Sequence, residues 1–266
     1  MIDSHAHYDD EKFDADRGDI LQKCAESGVT HIINAGSNVD SSRKSIELSR
    51  QYPFVYAAVG VHPQDALSCG PRTIEQLTAL SKEPKVVAIG EIGLDYHYDD
   101  AAPREIQKEW FARQIALAVD LKLPIIIHDR EAHLDVLDIV RAEKGHEAGG
   151  VFHCFSGSRE MAREVLDLGF KIGIGGALTF KKARKPLEVV QYTPLDMLLV
   201  ETDCPYMAPE PYRGKRNWSG LIKIVLNKIA ELKGIDYETA EKATSDNAIK
   251  LFACKPPNIL KVRGGQ

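Results

Sequence analysis

Pro124-Ile125-Ile126-Ile127-His128-Asp129-Arg130 is a short apolar run that ends abruptly in charged and polar side chains. A strand with one face in water alternates apolar and polar residues, so an unbroken apolar run suits a parallel strand covered on both faces. Val86-Val87-Ala88-Ile89 has the same character. Moving outward, β-rich runs recur at Ile2 to His7, Val29 to Ala35, Val55 to Val61, Val86 to Gly90, Pro124 to His128, Gly150 to Phe155, Lys171 to Ile174 and Met197 to Glu201. Helical patterns lie between them: Asp14 to Ser27, Ser41 to Gln51, Thr73 to Ser81, Pro103 to Leu121, Arg130 to Lys144, Ser158 to Leu168, Lys182 to Gln191 and Gly220 to Lys233, with one more at Tyr237 to Cys254. Pro103 to Leu121 carries Phe111, Ile115, Ala118 and Val119 at helical spacing. Gly28 and Gly169 stand where helices should stop.

Eight strands alternating with helices in about 250 residues is the arithmetic of an α/β fold closed as a (β/α)8 TIM barrel. An open doubly wound sheet is the structural alternative. It usually carries a Gly-rich phosphate loop after an early strand, and none is present. Gly173, Gly175 and Gly176 read instead as room for close backbone approach. No linker or repeat divides the chain, so residues 1–254 are expected to form a single barrel domain, and 255–266, ending Gly-Gly-Gln, a C-terminal tail.

Composition narrows the function. Of 266 residues, 44% are hydrophobic and 27% charged, ordinary values for a globular protein. No apolar run reaches the roughly 18 residues needed to cross a bilayer, and the N-terminus has no basic region followed by an apolar core. The expectation is a cytoplasmic protein with no membrane association. The five cysteines include no CxxC pair, which argues against a disulfide framework or a structural zinc site. A net charge of −5 argues against coating nucleic acid by bulk charge. It leaves a nuclease open, because bound ions and a local basic cluster can hold phosphate in an acidic protein.

A barrel enzyme builds its site at the C-terminal ends of its strands. There the sequence puts His5 and His7, His62, Glu91 and Asp95, His128, His153, and Glu201 with Asp203. His5 and His7 are two apart, so in an extended strand both point to one side. Singly, each would read as an ordinary core histidine with satisfied nitrogens. Four histidines and two acids at one end of the predicted strands point together to one or two divalent ions. Two ions require a bridging carboxylate, for which Glu91 and Asp203 are the candidates.

His5-Ala6-His7, Gly90-Glu91-Ile92-Gly93-Leu94-Asp95-Tyr96, His128, His153-Cys154-Phe155-Ser156-Gly157-Ser158, and Glu201-Thr202-Asp203 followed by Pro205-Tyr206 together resemble the TatD family of metal-dependent DNases, from residue 2 to about 254. The resemblance implies a TIM barrel and divalent ions (Mg, Mn or Zn, two per chain) on His5, His7, Glu91, His128, His153 and Asp203. It also implies hydrolysis of DNA phosphodiester bonds from a 3′ end, with single-stranded DNA as the partner and no obligate protein partner evident. Two departures stand out: Trp218-Ser219 replaces the family's usual Glu-Pro after Asn217, and Cys204 stands where Ser is commoner.

On this reading one ion sits mainly on His5, His7 and Asp203, with Glu91 bridging, and the second on Glu91, His128 and His153. Asp203 is the expected general base, with Glu91 its catalytic companion. Glu201 shares a face with Asp203 and is expected to anchor a ligating histidine from behind. His62 is expected to touch substrate phosphate or a bound water. Arg213, Lys215 and Arg216, three cations in four residues, are expected to bind phosphate at the barrel mouth. Tyr96, Tyr206 and Trp218 are candidate stacking surfaces for an unpaired base. His31, His97, His133 and His146 are assigned no role. The rival functions are hydrolysis of a non-phosphate ester or amide bond, such as a misacylated tRNA, and a non-catalytic binding barrel.

Overall fold

In the computed structural model the described residues are 1–98 and 101–254. The tail read at 255–266 lies outside them. Strands β1 (Ile2–Ala6), β2 (His31–Ala35), β3 (Val55–Val59), β4 (Val86–Asp95), β5 (Ile125–Arg130), β6 (Gly150–Phe152), β7 (Lys171–Ile174) and β8 (Leu198–Val200) form one sheet in chain order. Every neighbouring pair is parallel. Backbone bonds just past β8 return to β1 and close the ring: Asp203 N–H donates to the His5 carbonyl at 3.0 Å and His7 N–H to that of Cys204 at 2.8 Å. The protein is a TIM barrel.

The crossovers are α1 (Arg17–Glu26), α2 (Val39–Gln51), α3 (Thr73–Leu80), α4 (Arg104–Leu121), α5 (His133–Ala142), α6 (Arg159–Asp167) and α7 (Arg184–Tyr192), followed by α8 (Ile222–Lys233) and α9 (Tyr237–Phe252). Short polar side chains start several of them: Asn38 accepts from Ser41 N–H at 2.9 Å and Asp236 from Thr239 N–H at 2.6 Å. Gly28 and Gly169, after α1 and α6, take φ of +85° and +82°, the left-handed turn that ends a helix.

The apolar runs are explained by two cores. Ile33, Tyr56, Ala58, Val87, Ile126, Val151 and Leu199 pack together inside the ring. Their chain neighbours Ile32, Val55, Ala57, Val59, Ile125, Ile127, Phe152, Leu198 and Val200 face the helices. Period-2 alternation thus persists, but both faces are dry, so no polar residue marks it. Ala248, Phe252 and Cys254 join the inner core from α9, and Asn247 there donates to the Leu198 carbonyl at 2.9 Å. α9 therefore plugs the N-terminal end of the barrel, leaving the C-terminal end open.

Several element boundaries depart from the sequence reading, three of them near the barrel mouth. β4 runs on to Asp95 rather than stopping at Gly90, because its ladder with β5 resumes after an irregularity, pairing Ile92 with Ile127 and Asp95 with Arg130. α5 starts at His133, not Arg130, since Arg130 belongs to that ladder and Glu131 turns at φ +58°. β6 ends at Phe152, just before Cys154 turns at φ +42°.

Candidate metal centre

The open end gathers side chains from six strands and their following loops. The irregularity in β4 falls at Glu91 and aims its buried carboxylate at the barrel axis. Each of its oxygens faces a different group. Oε2 lies 3.3 Å from His5 Nε2 and 3.4 Å from His7 Nε2. Oε1 lies 2.6 Å from His153 Nε2, 2.8 Å from His128 Nδ1 and 3.6 Å from His62 Nε2. Asp203 Oδ1 completes the first group, 3.4 Å from His7 Nε2 and 3.7 Å from His5 Nε2. Three overlapping sets, namely His5–His7–Asp203, His5–Glu91–His153 and His62–Glu91–His128, each offer ligand atoms within 4.8 Å of one another.

The outer nitrogens determine which ring atoms are free. His7 Nδ1–H donates to the Ala35 carbonyl at 2.9 Å, so its Nε2 lone pair turns inward. His128 Nε2–H donates to Asp95 Oδ2 at 3.1 Å, leaving Nδ1 inward. His62 is the reverse: its Nδ1 accepts from Gln64 N–H at 3.2 Å, so the neutral ring carries its hydrogen on Nε2. Inward-facing nitrogens of different rings lie close together, His5 and His7 Nε2 at 3.0 Å and His128 Nδ1 and His153 Nε2 at 3.3 Å. Lone pairs that close are stable only with a proton or a cation between them. The mixed imidazole and carboxylate donors fit a hard-to-borderline divalent ion such as Mg, Mn or Zn.

Electrostatics lead to the same place. Burial opposes charge on Glu91, yet the surrounding imidazoles, His153 foremost, hold its carboxyl well below the usual range. Asp203 is likewise lowered against burial, chiefly by its hydrogen bond from His7. Asp203 and Glu91 in turn raise His7, and Glu91 with Glu201 raises His153, well above the ordinary imidazole value and against burial. His5 is lowered by burial and by its neighbour His153. His62 is pushed down to about 3 by burial and His128, and is neutral at pH 7. A buried and a half-buried anion drawing positive charge to one point fit a cation site.

Around the cluster, Glu201 is fully buried; its Oε1 accepts from Cys154 N–H and lies 3.6 Å from His153 Nδ1. Gly173 makes room for it, since a Cβ there would lie 2.5 Å from Glu201 Oε2. A cavity of about 860 Å³ opens above, lined by His7, His62, Glu91, His128, His153, Asp203 and Tyr206 among others. Arg213, Lys215 and Arg216 do not line it. Arg216 is tied to Asp16 through two N–H groups at 2.8 and 2.5 Å, and Arg213 lies over the Phe180 ring at 4.3 Å. Of the three candidate stacking rings only Tyr206 reaches the cavity; the Tyr96 hydroxyl donates to Asp135 at 2.6 Å, and Trp218 packs against the helical core. Asp95, which the sequence also put at this end of the barrel, grips His128 and accepts from Gln64 Nε2 at 3.2 Å.

A closed parallel barrel with imidazoles and carboxylates converging at its C-terminal mouth defines a TIM-barrel hydrolase of the metal-dependent class. Residues 2–253 match the family model described as TatD related DNase, and the chain belongs to that family. It is 44% identical over 252 residues to the Bacillus subtilis "Uncharacterized metal-dependent hydrolase YabD", covering 95% of this chain and 98% of that one. It is 33% identical over 257 residues to the Salmonella typhimurium "3'-5' ssDNA/RNA exonuclease TatD", at 95% and 98% coverage. The crystal structure of the TatD homolog YJJV from Escherichia coli K12 superposes with a TM-score of 0.90 at 33% identity, over 96% of this chain and 98% of that one. Among the described residues no helix is long and apolar enough to cross a membrane.

Proposed function

We propose that the protein is a divalent-metal-dependent 3′–5′ exonuclease acting on single-stranded DNA. The observation that carries this reading is the split environment of Glu91, whose two oxygens address two separate imidazole groups as a carboxylate shared by two ions would. His5, His7 and Asp203 would hold one ion with Glu91, and Glu91, His128 and His153 the other. Bound there, divalent ions ease deprotonation of water and neutralise charge gathering on phosphate oxygens. Asp203, ionised and lining the cavity, takes a proton from the attacking water. His62, neutral with its hydrogen on Nε2, donates to a phosphate oxygen. Glu201 keeps the His153 ring in place from behind. The nucleic-acid substrate is supported by the family and by the named activity of the Salmonella relative.

The test is incubation of purified protein with 5′-end-labelled single-stranded DNA and Mg, Mn or Zn. The expected result is a ladder shortening from the 3′ end that a chelator abolishes. Intact DNA with all three ions, alongside hydrolysis of a misacylated tRNA or a simple ester, would move the assignment to a non-phosphate bond.

A further inference from the structure

We propose that Arg130 is the residue that holds a substrate phosphate; this rests on the nuclease reading above and names the contact that selects phosphate esters. Arg130 ends β5, two residues beyond His128, so both side chains leave the strand on one side. Both line the cavity. Among the described lining residues Arg130 is the one arginine or lysine, whereas Asp9, Asp10, Asp65, Glu91, Asp95, Asp129 and Asp203 are acidic. Ions at the metal centre offset the acids that hold them, but a phosphodiester reaching beyond those ions needs a cation of its own.

Among the described residues no carboxylate pairs with Arg130, whose contacts are with Tyr98. Its chain neighbours Asp129 and Glu131 are engaged by His133 and His97, each at 2.8 Å. The guanidinium lies 5.0 Å over the Tyr98 ring and donates one Nη1–H to the Tyr98 hydroxyl at 3.1 Å. An aromatic face and a neutral hydroxyl orient the group without neutralising it. The remaining N–H groups form the planar fork that matches two phosphate oxygens. Arg216 shows the contrast, because its fork is spent on Asp16. A neutral ester would gain nothing from Arg130, so the residue discriminates by charge at the point where substrate meets the metal centre.

The experiment is calorimetry of Mn and of thymidine 5′-monophosphate on the Mn-loaded protein, for wild type, R130A, R130K and Y98F. R130A should bind monophosphate about 10–100-fold more weakly, the worth of a charge-assisted hydrogen bond, while its Mn affinity stays unchanged. R130K should recover part of the loss, because ammonium supplies charge without the fork. Y98F, which removes the hydroxyl that orients the guanidinium, should weaken monophosphate binding less than R130A does. Unchanged monophosphate affinity in R130A overturns the proposal. So does a parallel loss of Mn affinity, which would mean that Arg130 merely supports β5 and His128. Wild-type protein that binds monophosphate through Arg130 yet shortens no DNA refutes the nuclease reading and leaves Arg130 as the phosphate ligand. Protein that shortens DNA with the same KM in R130A refutes Arg130 alone.

Discussion

Glu91 is a buried anion and Asp203 a half-buried one, and they are not interchangeable. Glu91 has both oxygens surrounded by imidazoles, so its charge is committed to holding the centre together. Asp203 has only Oδ1 within ion-pair distance of an imidazole, and its side chain keeps 16% exposure toward the cavity. It can therefore hold the centre and still meet a water. Asp203→Asn keeps the shape and removes the proposed base. Turnover on DNA should fall about 10²–10⁴-fold while the melting temperature stays within a few degrees. A near-wild-type rate at saturating metal would show that another group takes the proton. The converging residues were legible because a histidine or acid at the end of an apolar run has few uses. The hold of Asp95 on His128 was not, since nothing in Gly93-Leu94-Asp95 shows that β4 continues and sets this carboxylate beside that ring.

At the scale of elements, α4 does more than cover the barrel. Gln107 and Gln114 lie seven residues apart on its apolar face, and both are buried. Gln114 accepts from Val61 N–H at 2.7 Å and donates to the Val61 carbonyl at 3.0 Å, fixing the residue before His62. Gln107 does the same for Asp95, at 2.8 and 3.0 Å. One helix thus sets the exits of β3 and β4, from which His62 and Asp95 reach the site. Gln114→Met, close in size but without polar atoms, leaves both Val61 groups buried and unpaired. It should cost about 1–3 kcal/mol, or several degrees of melting temperature, and should raise KM as His62 shifts. Unchanged melting and KM would mean that the loop holds itself. The clue in the sequence was polar residues on a stripe otherwise occupied by Phe111, Ile115 and Ala118. Amphipathic reading treats such residues as breaks in the stripe, because one helix cannot reveal which backbone lies opposite it.

The whole molecule closes where its first strand meets the segment after its last. Backbone bonds join them at His5–Asp203 and His7–Cys204, and behind these the buried Asp3 carboxylate accepts from Thr202 N–H at 2.9 Å and Ser219 Oγ–H at 2.6 Å. The barrel count was readable because eight doubly buried strands leave few other architectures. How the ring shuts was not, because residues two hundred positions apart carry no local sign of pairing. The proposed ligands span the same seam: His5 and His7 come from β1, Asp203 follows β8, and Glu91, His128 and His153 come from the opposite side. A divalent ion shared among them would tie the seam shut in the folded chain and would find no such site in the unfolded one. Binding to the folded state alone, at 100 times its Kd, adds about 2.7 kcal/mol. For a chain of this size that is roughly 5–10 °C in melting temperature. Mn should raise the melting temperature of wild-type protein by that amount over chelator-treated protein, and Asp203→Ala, which removes the ligand on the β8 side of the seam, should lose most of the gain. Identical melting with chelator and with Mn would mean that the seam is held by its backbone bonds and the Asp3 network alone, and that no ion binds across it.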